Sequence, residues 1–239
     1  MKLVRALLTT VALLLSISCL AQEASTPSAL DAEAARLLLE GSRLTKTGKL
    51  AEAIEDFDKV SAMYESAFRG SKARLFSARF QPEALLYLLE AANAKTPARV
   101  VSGNWAYAYY MKGYVLVELG RLADAKVSLQ QAIDLAPHNS QFISELAGVY
   151  QREKDWSLAM KTFQAAEMQA REFSPPALKN AELSRAWRGQ GYVYVEQHQF
   201  DEAEALYHKC LELDASDTKA ANELRFIQAQ RVKKDNQAR

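Results

Sequence analysis

A six-residue pattern recurs along this chain, and no other feature restricts the fold as much. Gly48-Lys49-Leu50-Ala51-Glu52-Ala53 and Gly120-Arg121-Leu122-Ala123-Asp124-Ala125 share the form G-x-L-x-x-A. Lys154-Asp155-Trp156-Ser157-Leu158-Ala159 and His198-Gln199-Phe200-Asp201-Glu202-Ala203 are near-copies. Each copy follows a small residue on an apolar-periodic stretch: Gly41, Gly113, Ala147 and Gly191. Self-similarity at a fixed period of tens of residues is the mark of stacked repeats. Aligned on these signals, the units fall at residues 34–67, 106–139, 140–173 and 184–217, and the second and third abut.

The aligned positions make physical sense as pairs of helices. A first helix carries Leu37, Tyr109, Ile143 or Trp187, then Leu44, Leu116, Tyr150 or Tyr194. A turn-side anchor follows at Leu50, Leu122, Trp156 and Phe200. The second helix has a small residue (Ala53, Ala125, Ala159, Ala203) and a bulky one four places on (Phe57, Leu129, Phe163, Tyr207). Three places further stand Val60, Ala132, Ala166 and Cys210. Spacings of three and four put these groups on one helical face. Small residues let two helices approach closely, and bulky ones fill the gap beside them. Such a unit cannot bury its face alone, so units must stack. With 9 glycines and 6 prolines in 239 residues, turn residues are too few for a sandwich or barrel, which needs a turn every ~8–12 residues.

This arrangement resembles the tetratricopeptide repeat (TPR), a helix-turn-helix unit. The resemblance implies an all-α fold: a right-handed α-solenoid of stacked units over residues 34–217, closed by a capping helix. The chain departs from the family pattern in places. The leucine usual before the first small residue is present at Leu146 but replaced by Glu40, Lys112 and Gln190, and the closing proline survives at Pro137. Residues 65–98 read as a degenerate fifth unit, with Phe68 and Leu75 on a first helix and Leu88 and Ala91 on a second that starts near Pro82. Lys72 at its small-residue place counts against it. Residues 94–104 read as an irregular connector. Residues 174–183 are an insertion in which Ser174 can cap a helix beginning near Pro176. Ala221, Leu224, Phe226 and Ile227 suggest the capping helix within 218–239, followed by a charged tail.

Residues 1–21 read as an export signal. Lys2 and Arg5 precede a mostly apolar run from Ala6 to Leu20, and Cys19 and Ala21 form an A-x-A-like cleavage pattern. Cutting after Ala21 leaves Cys210 as the one cysteine and rules out an internal disulfide. Residues 22–33 then form a linker and the start of the first helix. Ser16-Ile17-Ser18-Cys19 also partly resembles a lipobox, which gives a second reading: a lipid-anchored envelope protein acylated at Cys19. The destination implied is periplasmic or secreted, or the envelope for the lipoprotein.

Catalytic signals are sparse. His138, His198 and His208 are the three histidines, and H-E-x-x-H, C-x-x-C and Walker patterns are missing from the sequence. Cys210 falls on a core position of its repeat. No enzyme, metal or cofactor is expected. Lys plus Arg number 30 and Asp plus Glu 29, which gives no support to a nucleic-acid binder. No stretch reaches the ~20 apolar residues of a spanning helix.

The resemblance does point to a binding face. In TPR proteins the first helices line a concave groove. Carried over unit by unit, that groove presents Tyr107, Tyr110, Met111 and Tyr114, then Gln141, Ser144, Glu145 and Arg152, then Arg185, Arg188 and Tyr192. Tyrosine and arginine are enriched at binding hot spots. Tyr110 and Tyr114 are expected to pack a peptide's apolar side chains, and Arg185 and Arg188 to hold its carboxylate. The asparagines of the family's carboxylate clamp are replaced by Ser42, Tyr114, Gly148 and Tyr192, so chaperone-tail binding does not carry over. The sequence thus reads as a non-catalytic scaffold for protein interaction in a bacterial envelope, with a protein or peptide partner.

Overall fold

A computed structural model describes residues 28–237. The segment expected to be an export signal, Cys19 and most of the expected linker lie outside the described residues. The chain runs α1 (Ala29–Lys46), α2 (Leu50–Ala67), β1 (Arg74–Ala78), α3 (Gln81–Asn93), β2 (Ala98–Ser102), α4 (Asn104–Glu118), α5 (Leu122–Leu135), α6 (Ser140–Arg152), α7 (Trp156–Phe173), α8 (Pro176–Glu196), α9 (Phe200–Leu213) and α10 (Thr218–Gln237). It is an all-α solenoid with a small βαβ insert.

Four helical hairpins, α1–α2, α4–α5, α6–α7 and α8–α9, share one turn chemistry. Gly48 and Gly120 have positive φ, and Lys154 and His198 stand at the equivalent places with φ of 59°. One residue later, the N–H of Lys49, Arg121, Asp155 and Gln199 donates to the carbonyl of Leu44, Leu116, Tyr150 and Tyr194. That bond satisfies a carbonyl that the helix end would leave unpaired. The two near-copies of the sequence pattern therefore keep the left-handed turn and give up the residue that adopts it most cheaply.

Packing inside each hairpin follows the small-and-bulky logic. Ala53, Ala125, Ala159 and Ala203 are fully buried. A Cβ on Gly41 would stand 2.6 Å from the Phe57 ring, one on Gly113 2.6 Å from Leu129, and one on Gly191 2.8 Å from Tyr207. The tightest approach joins two units: a Cβ on Gly189 would lie 2.2 Å from the Phe163 ring. Phe163 thus wedges between Ala147, Ala159 and Val193 of its core cluster and the backbone of α8.

Residues 65–98 depart from the expected helical pair. Phe68 caps the end of α2 and stacks on Trp105 and Tyr64. Leu75, expected on a helix, lies on β1, which pairs in parallel with β2 across α3. Part of the expected irregular connector is therefore strand β2. The choice follows from what each side chain can bury. Phe76 stacks on Tyr87 of α3 at 4.8 Å. Ser77 faces α4, where its hydroxyl donates to the Ser102 carbonyl (2.6 Å) and accepts from the Ala106 N–H (3.2 Å). This alternation of faces has the period of a strand, not of a helix. Leu88, expected in a core, is exposed, and Ala91 is buried.

The insert is fastened to the third and fourth hairpins. Arg79 bonds Glu83 on α3 and Glu182 on α8, the latter at 2.9 Å. Ser174, expected to cap α8, instead donates to Glu182, and Pro175 takes the capping position. His138 lies between the rings of Tyr87 and Phe173 (5.5 and 4.0 Å) and contacts Glu90 and Gln169. At the C-terminal end, α10 packs on α9 and α8 and buries Ala220 and Ile227. Phe226, expected in that contact, is exposed.

Candidate functional site

The first helices of successive hairpins, α4, α6 and α8, touch one another and meet α10 at the far end. Together they form the face on which the sequence places its groove. Tyr107 is 38% exposed there and tilts against Tyr110 at 5.6 Å. Tyr110 is not available as a contact surface: it is buried, stacks on Phe142 at 4.9 Å and accepts from the Gln141 amide at 2.9 Å. Burial pushes its phenol up to about 12. Met111 and Tyr114 are half-buried against the core of the first two hairpins. Tyr192 is half-buried, 6.4 Å from Trp156.

The groove arginines, among them Arg185 and Arg188, expected to receive a partner's carboxylate, each have a carboxylate already. Arg152 meets Glu118 of α4 at 3.4 Å. Arg185 bonds Glu145 of α6, and Arg188 bonds Asp217 at the start of α10. These pairs form a ladder that ties each first helix to its neighbour. Glu145 is nearly buried, and desolvation raises its pKa although Arg185 and Arg152 pull it down. Glu145 was placed on this face from the sequence, but its pairing with Arg185 was not, and Glu118 and Asp217 were missed, although Glu118 and Arg152 are one repeat length apart and so occupy equivalent positions in adjacent units.

Sequence reading also missed a cleft of about 350 Å³ between α6, α8 and α10. Arg188, Tyr192, Tyr207, Lys219, Asn222 and Glu223 line it. Arg188 and Lys219 also border a second cleft, of about 480 Å³, that continues along α8 and α10 past Ser184 and Ser216. Tyr207 reaches the first cleft from the second-helix layer. Its ring passes under α8 at Gly191, and its hydroxyl is buried without a hydrogen-bond partner among the described residues. Burial raises its pKa and that of Glu223. The other hairpins place Phe57, Leu129 and Phe163 at the same repeat position. Only the fourth carries a hydroxyl there, which is the signal that could have revealed the cleft.

The remaining chemistry is quiet. Burial pushes the Cys210 thiol up to about 11, and its Sγ rests 3.6 Å from the Ser184 carbonyl. Among the described residues, no group of three His, Cys, Asp or Glu is arranged to hold a metal ion, and no helix is long and apolar enough to cross a membrane.

Family models of the tetratricopeptide repeat match residues 116–182 and 184–217. The chain carries TPR repeats. Three similar solved structures are TPR-type solenoids or MamA proteins. A tetratricopeptide repeat protein from Parabacteroides merdae ATCC 43184 is 14% identical, with a TM-score of 0.53, over 85% of this chain and 62% of that one. MamA 41-end from Desulfovibrio magneticus RS-1 is 16% identical, with a TM-score of 0.52, over 86% and 89% of the two chains. A MamA RS-1 ArsTM double mutant is 15% identical, with a TM-score of 0.51, over 83% and 85%. At these identities the likeness concerns the fold. No curated protein matches the chain. The TPR models begin within α4, after the βαβ insert.

Proposed function

We propose that this TPR chain is a non-catalytic scaffold that holds a peptide or protein segment on its first-helix face, at the end formed by α6, α8 and α10. The cleft itself carries the proposal: Arg188, Tyr192, Lys219, Asn222 and Glu223 converge on it, and the Tyr207 ring lies buried beneath. Lys219 and Asn222 supply further donors at the rim, and Glu223 supplies an acceptor for a peptide N–H. Tyr107 offers the exposed aromatic surface further along the face. The arginines act in this reading by fixing the helices through their ladder, with Arg188 also at the cleft wall.

A peptide library selected against the chain, then counter-screened on variants, tests this. Peptides that bind the wild type are expected to lose about tenfold or more on Lys219→Ala combined with Asn222→Ala, which removes the donors at the rim. Selected peptides that bind the Lys219→Ala, Asn222→Ala variant unchanged would place the working surface elsewhere.

Residues 1–21 favour an envelope location, with cleavage after Ala21 and acylation at Cys19 as the alternative. Intact mass of the chain from a bacterial host separates them: an N-terminus at Gln22 supports cleavage, and a diacyl mass on Cys19 supports the anchor.

A further inference from the structure

The βαβ insert has an outer surface that neither the repeat stack nor the cleft uses. Because β1 and β2 are parallel, the segments leading into both strands lie at one end of the sheet, tied by the Arg74 N–H donating to the Pro97 carbonyl at 2.8 Å. Helix α3 runs back between the strands, so its C-terminus ends there too. Five exposed cations collect at this end: Arg69, Lys72, Arg74, Lys95 and Arg99. None of the five forms an ion pair with another described residue, whereas Arg79 at the other end of β1 is paired with Glu83 and Glu182. Arg74 and Arg99 lie over the rings of Phe76 and Phe68, at 4.5 and 4.7 Å, on opposite faces of the sheet. In a chain of 30 basic and 29 acidic residues, this is a local excess of positive charge.

Helix α3 has a second unusual feature. Leu85, Leu88 and Leu89 are 59%, 42% and 54% exposed, and Ala92 is exposed beside them. Their spacing places all four on one face. The helix has two carboxylates, and both are turned away from this face. Glu83 is buried against Arg79 and Tyr87, and Glu90 is bonded to His138. The solvent side therefore presents leucines and uncharged residues that run toward a cluster of free cations. It is the outer side of a helix lying on a sheet, a ridge and not a groove.

From this juxtaposition we infer that the insert docks on an anionic lipid surface, with the α3 leucines in the headgroup–acyl boundary and the five cations on the phosphates. An apolar helix face flanked by Lys and Arg is the composition that lies in a membrane interface. Clearing carboxylates from the face suits a negatively charged plane, whereas a mixed protein interface has no need of it. Each basic residue near such a surface contributes about fivefold to binding. The docking leaves the α6–α8–α10 cleft free, so it does not depend on the peptide-binding proposal.

Flotation with vesicles tests it, using the chain from Gln22 onward, which contains every described element. Vesicles of phosphatidylcholine with about a third phosphatidylglycerol are compared with phosphatidylcholine alone. Wild type is expected to bind the anionic vesicles at least tenfold more tightly, with binding weakened by salt. Lys72→Gln, Arg74→Gln, Lys95→Gln and Arg99→Gln combined should abolish the preference. Leu85→Ser, Leu88→Ser and Leu89→Ser combined should cut binding severalfold, with circular dichroism unchanged because all three are exposed. The inference is overturned if wild type ignores anionic vesicles, or if either combined variant binds like wild type. It is also overturned if the leucine variant only dissolves a wild-type dimer, or if soluble polyglutamate binds in place of vesicles, since the face would then serve protein.

Discussion

Substituting Gly189 tests directly whether close helix approach governs this fold. A methyl group there would stand 2.2, 2.3 and 2.5 Å from Cε1, Cζ and Cδ1 of Phe163. Carbon atoms pack at about 3.5–4.0 Å, so the ring or the helix must retreat by more than roughly 1 Å. Phe163 has no space behind it, because Ala147, Ala159 and Val193 around it are fully buried. Overpacking of this kind costs about 1–3 kcal/mol, and contacts this short belong at the upper end. Alanine returns about 1 kcal/mol of helix propensity. The net expectation for Gly189→Ala is a loss of about 2 kcal/mol, or about 4–8 °C in Tm for a chain of this size. Gly148 supplies the control: it also lies inside a helix, and a Cβ there would meet nothing within 4 Å. Gly148→Ala should therefore gain about 1 kcal/mol and about 2–4 °C. Thermal unfolding followed by far-UV circular dichroism measures both, and Phe163→Leu added to Gly189→Ala should recover part of the loss. A Gly189→Ala chain that melts at or above wild type would refute the packing argument.

Three further outcomes are expected. Arg79→Ala leaves the buried carboxylates of Glu83 and Glu182 without their shared cation, a loss of about 3–5 kcal/mol, and hydrogen exchange should speed up first in residues 74–102. Alkaline pH should destabilise the chain. Burial holds the Tyr64 and Tyr110 phenols up to about 12, so between pH 10 and 12 the folded chain keeps protons that the unfolded chain releases. Stability is full below pH 10, and each such tyrosine removes on the order of 2 kcal/mol by pH 12. Denaturant midpoints across that range check this, and a flat profile would contradict it. Cys210, with its thiol pushed up to about 11 and fully buried, should resist a thiol reagent in the native chain at neutral pH and react promptly in denaturant; fast native labelling would mean the fourth hairpin opens.

The repeat positions were readable because each depends on residues close together in the chain. Gly41 with Phe57 and Gly113 with Leu129 each lie within one hairpin, and their spacing shows in the pattern itself. The site was far less readable. Tyr110 looked like surface because its helix position faces inward in the family, but Phe142 and Gln141 from the next hairpin cover it. Arg185 and Arg188 looked free because Glu145 and Asp217, 40 and 29 residues away, are not neighbours in the pattern. The βαβ insert was misread because residues 65–98 have enough apolar spacing to suggest helices. The pairing that makes 74–78 a strand comes from residues 98–102, across a whole helix.

By itself, then, the sequence determined a stack of helical hairpins, since small and bulky residues at fixed offsets can bury one another only in that way. Tertiary structure alone decided which charges remain free. The groove arginines are neutralised by carboxylates from the neighbouring hairpins and from the start of α10. The five cations at the leading end of the sheet meet none among the described residues, because parallel strand pairing gathers them there. It also decided that the fourth hairpin's bulky residue ends in an unsatisfied hydroxyl at a cleft, since only the approach of α10 closes that space. Such outcomes depend on contacts between distant segments, and a one-dimensional pattern encodes the tendency to make them without naming the partners.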